Sequence, residues 1–481
     1  MKNLFVLSMN LLLFFSACQM EVAPPEAIWP VPDENQLAWH DREQYAFIHF
    51  TTNTFTGKEW GYGDESPSIF NPTAFDAEQW VTTIQEAGLK GLILTCKHHD
   101  GFCLWPSAYT EHSVKNSPFR DGQGDVVKEV SDACRRHGLF FGVYLSPWDR
   151  NFAQYAAPEY ISYYRNQLTE LLSNYGEVSE VWFDGANGGD GYYGGARERR
   201  KIDNRTYYDW PNTHTIVRKL APQAVIFSDA GPDIRWCGNE SGFSGETNWN
   251  TLSVDTLYPG KPDINRLLNN GSQDGTSWVP AEVDVSIRPG WFYHETEDDE
   301  VRTPENLLKC YLESVGRGSN FLLNLPPDRR GQIHEKDVKA LRAWKQLLDA
   351  TFSKNLAANA PVSADTYRGK SKQYAAANVT DGDKDTYWAT DDHVRSGSLE
   401  IDLGKYQKIS YVLIQEYIRL GQRVRQFNVE AWKDKAWEII ATGTTIGHKR
   451  ILPIEAVEAS KLRINIMDAK ACPLIATVEV Y

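Results

Sequence analysis

Residues 91–102, GLILTCKHHDGF, consist of an apolar run, Gly91–Cys96, that ends in a cluster of polar side chains. A short apolar run of this kind is typical of a buried strand. Amphipathic stretches with helical periodicity stand before and after it, at Ala77–Ala87 and Asp125–His137. Alternation of strand and helix at this spacing indicates parallel strands joined by crossover helices. The stretch therefore predicts one strand of an α/β domain that carries polar side chains at its carboxyl end.

The same alternation continues from about residue 40 to residue 350. Eight candidate strands lie along it: Tyr45–Phe50, Gly91–Cys96, Leu139–Leu145, Glu180–Asp184, Ala224–Asp229, Glu246–Trp249, Ala281–Ser286 and Asn320–Leu325. Further helical patterns lie at Pro158–Tyr175, Thr213–Leu220, Pro304–Gly316 and Glu335–Leu348. Eight parallel strands with crossover helices fit a (β/α)8-like TIM barrel. We place this barrel at residues 35–352.

The helical periodicity is lost from about Leu356 onward. Alternating or β-branched runs follow, separated by turn-rich joints: Leu399–Leu403, Ile409–Gln415, Gln426–Ala431, Trp437–Thr442, Lys461–Ile466 and Ile475–Tyr481. This pattern is typical of an antiparallel sandwich. The sequence therefore predicts an all-β sandwich domain at residues 353–481, after the barrel.

The first eighteen residues have the pattern of an export signal. Lys2 precedes an apolar run, Leu4–Phe15, that is too short to span a bilayer as a mature helix. The run ends in Phe15–Ser16–Ala17–Cys18, which resembles a bacterial lipoprotein signal with Cys18 as the lipidated residue. An ordinary cleaved signal with an incidental cysteine is the alternative. We expect export across the inner membrane of a bacterium, a tether at residues 19–34, and a lipid anchor in the periplasm or outer membrane.

The composition excludes some classes of protein. A net charge of −14 provides no basic field for nucleic acid, so no nucleic-acid partner is expected. Seven cysteines in 481 residues are not the framework of a disulfide-rich scaffold. Sixteen tryptophans and 23 tyrosines suit a cleft that stacks sugar rings on aromatic faces, although large aromatics also fill large cores.

Polar residues end four of the predicted barrel strands. His49 lies near the end of the first, His98 and His99 follow the second, Tyr144 lies near the end of the third, and Asp184 ends the fourth. In barrels of this type the loops at the carboxyl ends of the strands build the active site. One polar residue after a strand is more often structural than catalytic. Four such strand ends in order indicate a functional site.

The motifs at these strand ends carry a resemblance to a known family. Phe47–Phe50, Lys97–Phe102 and Val181–Gly185 together resemble the α-L-fucosidases of glycoside hydrolase family 29, and the likeness covers roughly residues 35–350. The resemblance implies that Asp184 is the catalytic nucleophile. A retaining glycosidase needs one carboxylate to attack the anomeric carbon and a second carboxyl to protonate the leaving oxygen. A structural role for Asp184, as a cap of the following turn, is the alternative.

The second carboxyl is less sharply specified by the sequence. Gly238–Asn239–Glu240 resembles the branch of the family that is selective for α-1,3 and α-1,4 linkages, which implies Glu240 as the acid/base. Glu246 is the rival, because it also falls near a predicted strand end. The acid/base is expected to have a raised pKa, since it must be protonated near neutral pH.

The resemblance also implies which residues bind the sugar. We expect three histidines to bond the hydroxyls and aromatic or polar side chains to complete the site: His49, His98, His99, Glu59, Trp60, Tyr144, Trp182, Arg288 and Trp291. A metal in the barrel is not expected, because adjacent histidines point in different directions and no third ligand has usable spacing. No cofactor is therefore required for the barrel chemistry.

The C-terminal segment has its own resemblance. Residues 378–389 and 398–404 look like a discoidin-type, galactose-binding-like sandwich, a fold also used as a carbohydrate-binding module. Asp381, Asp383 and Asp385 lie in one turn whose oxygens could hold a structural calcium ion. Whether the sandwich binds glycan or only supports the barrel stays open at this level.

These observations predict a retaining exo-α-L-fucosidase that removes α-1,3/1,4-linked fucose from branched, Lewis-type oligosaccharides. One alternative is a broad-specificity fucosidase active on α-1,2 linkages and aryl fucosides. The other is a non-catalytic glycan-binding lipoprotein that keeps the barrel as a scaffold. Two opposed carboxyls, Asp184 and Glu240, disfavour the binding protein.

Overall fold

A closed parallel barrel of eight strands forms the first domain of the protein. The computed structural model describes residues 22–481, so the predicted signal segment and Cys18 lie outside the described residues. The barrel strands are β1 Gln44–Ile48, β2 Gly91–Lys97, β3 Phe140–Leu145, β4 Glu180–Trp182, β5 Val225–Ser228, β6 Ile234–Trp236, β7 Ala281–Ser286 and β8 Asn320–Asn324. Each strand pairs with its sequence neighbours, and β1 pairs with both β2 and β8. The (β/α)8-like barrel predicted from the sequence is confirmed.

The barrel strands are buried on both faces. All seven residues of β2 and all six of β7 are buried, which accounts for their nearly continuous apolar character. Aromatic side chains fill the barrel interior: Trp39, Tyr45, Phe47, Tyr144, Trp182 and Phe227 pack together there. A second, larger apolar cluster lies between the strands and the surrounding helices.

Nine α-helices belong to the described part of the barrel domain. They are α1 Glu34–His40, α2 Thr52–Thr56, α3 Ala77–Glu86, α4 Val126–His137, α5 Glu159–Asn174, α6 Trp210–Leu220, α7 Asn265–Asn270, α8 Pro304–Ser314 and α9 Glu335–Thr351. Their starts follow ordinary capping chemistry. The Asp76 carboxylate accepts hydrogen bonds from the amides of Glu78 and Gln79 at the start of α3. Gly138 ends α4 in the left-handed conformation that favours glycine.

The sixth strand differs from its predicted position. It is Ile234–Trp236, whereas residues 246–249 form no strand. The three-residue strand has a charged centre, Arg235, which does not look like a buried strand in sequence. Arg235 is nevertheless fully buried, because its guanidinium donates to the carbonyls of Leu268, Val279 and Trp249.

The C-terminal domain is an antiparallel β-sandwich, as expected. Its strands are β9 Val362–Ala364, β10 Trp388–Ala389, β11 Gly397–Glu416, β12 Val424–Lys433, β13 Ala436–Gly443, β14 Arg450–Ala469 and β15 Leu474–Val480. They are ordered β10-β15-β11-β14-β12-β13, with β9 paired to β11. Register shifts interrupt the two twenty-residue strands, β11 and β14. Alternate residues of these strands are buried in a separate apolar core.

Residues 22–28, part of the predicted tether, lie against the sandwich. The amide of Ile28 donates to the carbonyl of Leu420, and Arg423 donates to the carbonyl of Glu26. Nε of Arg368 donates a hydrogen bond to the carbonyl of Ala23 at 2.8 Å. The segment is thus bound to the sandwich before the chain enters α1. Among the described residues, no helix has both the length and the apolar character needed to cross a bilayer.

Candidate active site

A cavity of about 260 Å³ opens at the carboxyl ends of the barrel strands. Histidines, aromatic rings and acidic groups line it: Phe47, His49, Glu59, Trp60, His98, His99, Tyr144, Trp182, Asp184, Gly185, Ala186, Asp229, Trp236, Glu240, Asp284 and Trp291. The loops after the strands bring these residues together from positions far apart in the chain. Ten of the eleven residues named from sequence as leading catalytic or binding candidates lie here, and Arg288 does not.

Asp184 follows β4 and is held by two donors. The Tyr144 hydroxyl donates to Oδ2 of Asp184 at 3.0 Å, and the amide of Ala186 donates to Oδ1 at 2.5 Å. Burial, and then the charge of Asp184, raise the pKa of Tyr144 well above its usual range, so the phenol remains a donor. The carboxyl of Asp184 therefore has a fixed orientation in the cavity wall.

Gly185 is required by the packing beside Asp184. A Cβ atom at position 185 would overlap the carboxyl of Asp229, which lies directly against the glycine. The Gly in the Trp-Phe-Asp-Gly motif thus allows two acidic side chains from β4 and β5 to approach the same cavity. Asp229 in turn accepts a hydrogen bond from the amide of Gly260 at 2.8 Å.

His49 and Asn324 form a hydrogen-bonded pair beneath the cavity. Nδ1 of His49 lies 2.8 Å from Oδ1 of Asn324, whose amide nitrogen donates to the carbonyl of Trp291 at 2.8 Å. The amide oxygen must therefore face the imidazole, and Nδ1 of His49 carries the proton. Burial lowers the pKa of His49 to about 3, so the ring is neutral and Nε2 keeps its lone pair.

A hydrogen bond from Nδ1 to a protein oxygen orients His99 as well. Its Nδ1 lies 2.7 Å from Oγ of Ser146, whose hydroxyl donates to the carbonyl of Trp148 at 2.6 Å. The serine oxygen thus accepts from Nδ1, which leaves Nε2 of His99 as an acceptor. Burial lowers the pKa of His99 to about 4, while the charge of Asp184 acts to raise it.

His98 differs from the two other histidines. It is buried, and its Nδ1 has no hydrogen-bond partner in the structure. Burial, and then repulsion from His99 and His49, lower its pKa well below the usual value. Three neutral imidazoles therefore stand together in the cavity, which suits hydrogen bonding to hydroxyl groups rather than to anions.

Glu240 lies at the mouth of the cavity. Nε1 of Trp291 donates to its Oε2 at 3.1 Å. Partial burial, followed by the charges of Asp184 and Glu59, raises the pKa of Glu240 above that of an ordinary glutamate. The Trp291 bond acts in the opposite direction. An acidic group of this kind keeps its proton at a higher pH than a solvated carboxyl.

Two further carboxyls line the cavity and were not named among the sugar-binding residues from sequence: Asp229, which is half-buried, and Asp284, which is buried. Burial raises the pKa of Asp229 to about 7, with a further contribution from Asp184. Burial also raises the pKa of Asp284 well above its usual range, and the charge of Glu240 adds to this. The indole of Trp236 donates to Oδ1 of Asp284 at 2.9 Å. The cavity thus combines several acidic groups with different affinities for protons.

The sequence does carry a signal for Asp284. Glu282, Asp284 and Ser286 alternate with apolar residues in β7, so acidic side chains point into the barrel from a buried strand. Trp236 had no comparable signal, because it lies on the three-residue strand β6. Phe47 and Ala186 have no polar group that could have marked them.

Glu59 and Trp60 occupy one side of the opening. The Glu59 carboxylate accepts hydrogen bonds from the amides of Trp291 and Phe292 and from Nε2 of His294. Trp60 is 54% exposed and its ring stands nearly perpendicular to that of His99, with 5.2 Å between centroids. Glu59 therefore links two loops, while Trp60 presents an aromatic face to the solvent-filled opening.

The structure places two of the sequence candidates elsewhere. Arg288 is buried outside the cavity lining, where its guanidinium pairs with Asp337 and Asp298 at 2.9 Å each. Two carboxylates thus bind the Arg288 guanidinium away from the cavity lining, and a contact between Arg288 and the sugar stays a prediction. Glu246 is exposed and does not line the cavity, so of the two acid/base candidates Glu240 alone lies beside Asp184.

Within residues 22–481, metal-ligating side chains cluster at one place. One set of three ligand-type side chains comes close enough to share an ion: Asp328, His334 and Glu335. Arg330 forms ion pairs with Asp328 and Glu335, so that set is already neutralised. In the 381–385 turn, Asp381 and Asp383 accept hydrogen bonds from backbone amides two residues ahead. A calcium ion in this turn stays a prediction.

Comparisons with known proteins agree with this geometry. The alpha-L-fucosidase family matches residues 26–351, and the NedA-like, galactose-binding domain family matches residues 378–464. Alpha-L-fucosidase 1 of Arabidopsis thaliana is 42% identical over 95% of this chain and 88% of its own length.

Two solved structures are similar over most of the chain. A glycoside hydrolase 29 family member from an unknown rumen bacterium is 46% identical with a TM-score of 0.85, covering 95% of this chain and 78% of that one. A Ruminococcus gnavus GH29 fucosidase in complex with fucose is 34% identical with a TM-score of 0.86, covering 96% of both chains. The protein described here therefore belongs to the alpha-L-fucosidase family of glycoside hydrolases, with a galactose-binding-type sandwich after its barrel.

Proposed function

We propose that this family member is a retaining exo-α-L-fucosidase in which Asp184 is the nucleophile and Glu240 the acid/base. The observation that carries the proposal is that these two carboxyls line one cavity, with different surroundings. Asp184 is held by the donors Tyr144 and Ala186, whereas the pKa of Glu240 is raised. Double displacement requires one carboxyl to be ionised as the nucleophile and the other to be protonated as the acid.

The reaction would proceed in two steps. In the first, an oxygen of Asp184 bonds to the anomeric carbon as the glycosidic bond breaks, and Glu240 gives its proton to the departing oxygen. In the second, Glu240 takes a proton from water, whose oxygen attacks the anomeric carbon and releases Asp184. Fucose leaves, and both carboxyls return to their starting protonation states.

The neutral histidines support recognition of a sugar. His49 and His99 each use Nδ1 for a protein acceptor and keep Nε2 as an acceptor for a substrate hydroxyl. Phe47, Tyr144, Trp182 and Trp291 add apolar surface that suits a pyranose face and its methyl group. The fucose bound to the Ruminococcus gnavus relative is consistent with this reading.

Selectivity for α-1,3 and α-1,4 linkages is the narrower part of the proposal. It is supported by the Gly238–Asn239–Glu240 motif and by the position of Glu240 at the mouth, where the remainder of the glycan would lie. The test is release of fucose from an α-1,4-linked Lewis-type trisaccharide, an α-1,2-linked trisaccharide and an aryl fucoside. Of the two trisaccharides, only the Lewis-type sugar is expected to release fucose. Equal release from all three would refute the linkage selectivity and leave the fucosidase activity standing.

The catalytic roles are tested by substitution. Asp184→Ala is expected to abolish turnover but to retain fucose binding, measured by calorimetry. Glu240→Gln is expected to lose activity on the trisaccharide, and azide in place of water should partly restore its turnover only of an aryl fucoside whose leaving group needs no proton. Glu246→Gln is the matched control and should behave like the parent protein. A parent protein that binds fucosylated glycans without cleaving any would favour the non-catalytic lipoprotein instead.

We also propose that Cys18 carries a lipid anchor that places the enzyme in the periplasm or outer membrane of a bacterium. The proposal is supported by the Phe15–Cys18 motif at the end of the apolar run. Metabolic labelling with a tagged fatty acid should modify the full-length protein and leave Cys18→Ala unlabelled. Labelling of both proteins, or of neither, would contradict the anchor.

A further inference from the structure

The segment 246–250 of the barrel domain is held by the sandwich through buried hydrogen bonds. The amides of Asn248 and Asn250 donate to Oγ1 of Thr445 at 2.9 Å and to Oε1 of Gln422 at 2.8 Å. The side-chain amide of Gln422 donates back to the carbonyl of Asn248 at 3.0 Å, and Arg450 donates to the carbonyl of Glu246 at 2.7 Å. Most of these bonds serve main-chain atoms, so they fix the path of the segment rather than one side chain.

The contacts are not surface contacts. Gln422 and Thr445 are each 2% exposed, and Asn250 is 1% exposed. Buried main-chain groups that lose their partners must be left unsatisfied or the segment must move to find water. Three sandwich residues, Gln422, Thr445 and Arg450, therefore hold segment 246–250 in place. We call these three residues the clamp.

Segment 246–250 is one end of the loop that carries Glu240. The loop leaves the barrel after β6 and comes back beside β6 at Asn248, where Arg235 ties its two ends. The guanidinium of Arg235 donates to Oδ1 of Asn248 and to the carbonyl of Trp249, both at 3.0 Å. Because the second end of the loop also bonds the clamp, we expect a displacement of that end to shift residues 237–245, which are otherwise held by the bonds of the Ser244 and Gly245 amides to Glu313 and Asn269.

The position of Glu240 depends on this backbone. Within the described residues its carboxyl accepts one hydrogen bond, from Trp291 at 3.1 Å. A single bond at the tip of a partly exposed side chain leaves the loop backbone to set the distance to Asp184. Misplacing a reacting group by about 1 Å can lower a rate by about 10²-fold.

We propose that the C-terminal sandwich positions the acid/base, with Gln422 and Thr445 acting as positioning residues for the loop that carries Glu240. The inference rests on the proposed acid/base role of Glu240. It assigns the sandwich a part in the reaction that does not require the sandwich to bind any sugar. The clamp acts on proton transfer to the leaving group, and fucose binding by the histidines is left unchanged.

Leaving-group chemistry separates this role from a merely structural one. The glycosidic oxygen of an oligosaccharide needs a proton to depart, whereas 2-chloro-4-nitrophenolate departs without one. The variant is Gln422→Ala/Thr445→Val. For the α-1,4- or α-1,2-linked trisaccharide, whichever the parent cleaves faster, kcat/KM should fall by roughly 10- to 100-fold. For 2-chloro-4-nitrophenyl fucoside, kcat/KM should change by less than about twofold, because it reports the first step alone.

Two controls accompany this variant. Lys384→Ala/Arg419→Ala breaks the ion pairs of Lys384 with Asp41 and of Arg419 with Glu34, which also join the two domains but do not touch segment 246–250. Both substrates should be cleaved at parental rates by this control. Thr445→Ser keeps the hydroxyl acceptor and should retain the parental ratio between the two substrates. Thermal unfolding establishes that each protein is folded. If the double variant is not folded, the single variant Thr445→Val replaces it in the test.

The outcomes are distinguishable. Equal losses on both substrates, or the same loss in the Lys384/Arg419 control, would overturn the positioning role. Glu240→Gln is measured beside them and must itself lose trisaccharide activity selectively. If it does not, the acid/base assignment is wrong and the inference falls with it. If it does while the clamp variant shows no selective loss, the assignment stands and the clamp alone is refuted.

Discussion

The hydroxyl of Tyr144 at the end of β3 lies 3.0 Å from Oδ2 of Asp184 at the end of β4, and it donates a hydrogen bond to that carboxyl. The ring of Tyr144 is itself stacked on Trp182, with 5.4 Å between centroids, and the indole of Trp182 donates to the buried Glu282. Side chains from β3, β4 and the barrel interior thus together fix the orientation of the Asp184 carboxyl.

Removing this donor should lower the rate while leaving the fold intact. Tyr144→Phe deletes one hydrogen bond to a carboxyl, which is worth about 1.5–3 kcal/mol when the partner is charged. We expect kcat/KM on an aryl fucoside to fall roughly 10- to 100-fold. Tyr160→Phe is the matched control, because its buried hydroxyl donates to the carbonyl of Pro147 at 2.7 Å. A similar loss in both variants would mean that the effect is a general one of packing.

The pH profile should report Glu240. Its pKa is raised, so the group stays protonated to higher pH than an ordinary glutamate and loses its proton as the pH rises further. Trisaccharide cleavage by the parent should therefore decline on the alkaline side, since the acid is then deprotonated. With 2-chloro-4-nitrophenyl fucoside, whose leaving group needs no proton, the alkaline decline in kcat/KM should be absent from both the parent and Glu240→Gln. An alkaline decline with this substrate in either protein would assign the limb to a different group.

Gly185 offers a test of the crowding between β4 and β5. Gly185→Ala would press a methyl group against the carboxyl of Asp229 and displace Asp184 beside it. We expect a loss of kcat/KM of about 10²-fold, in line with small displacements of reacting groups. In an Asp229→Ala background the same substitution should cost much less, because the obstructing carboxyl is gone. Equal costs in the two backgrounds would contradict this explanation.

His448 should contribute to loss of stability in acid. It lies between the domains, stacked on His40 with 4.9 Å between ring centroids, and burial together with Lys449 and Lys384 lowers its pKa to about 3. A folded-state pKa below the unfolded value means that the unfolded chain takes up the proton first. The contribution of His448 is therefore complete above about pH 6.5 and is lost progressively as the pH falls toward 3.

Substitution should flatten this dependence. In His448→Gln, the slope of the unfolding free energy between pH 6.5 and pH 4 should be smaller than in the parent by up to about 1.4 kcal/mol per pH unit. Urea unfolding at several pH values measures the slope. His393→Gln, at an exposed position in the same domain, is the control. Identical slopes for the parent and His448→Gln would refute the assignment.

Chelation should leave the reaction unaffected. The proposed chemistry uses carboxyls and neutral imidazoles, and the Asp381 and Asp383 oxygens already accept hydrogen bonds within their turn. We expect kcat/KM in excess EDTA to equal that in added calcium. A structural calcium ion in this turn would appear instead as a rise in melting temperature with calcium that Asp381→Ala abolishes. A loss of activity on chelation would mean that a metal supports the barrel site.

Local patterns in the sequence were sufficient for much of the architecture. The buried run of β2, the alternating runs of the sandwich and the Asp and Gly caps of α3 and α4 are set by neighbours within a few residues. Polar residues at strand ends marked His49, His98, His99 and Asp184 for the same reason, because parallel strands bring their carboxyl ends to one side of a barrel. Their roles in catalysis stay predictions.

Tertiary structure decided what depends on distant partners. Arg235 could enter β6 because carbonyls 14 to 44 residues away accept its protons. Arg288 lies outside the cavity lining and pairs with Asp337, 49 residues further along the chain. Glu240 lines the cavity with Asp184, whereas Glu246 is exposed outside it in a segment whose backbone is bonded to the sandwich. Periodic patterns and capping residues in the sequence predict which segments are buried and where helices begin and end. The partners of buried charges cannot be predicted in this way, because they meet only when the barrel closes and the sandwich docks.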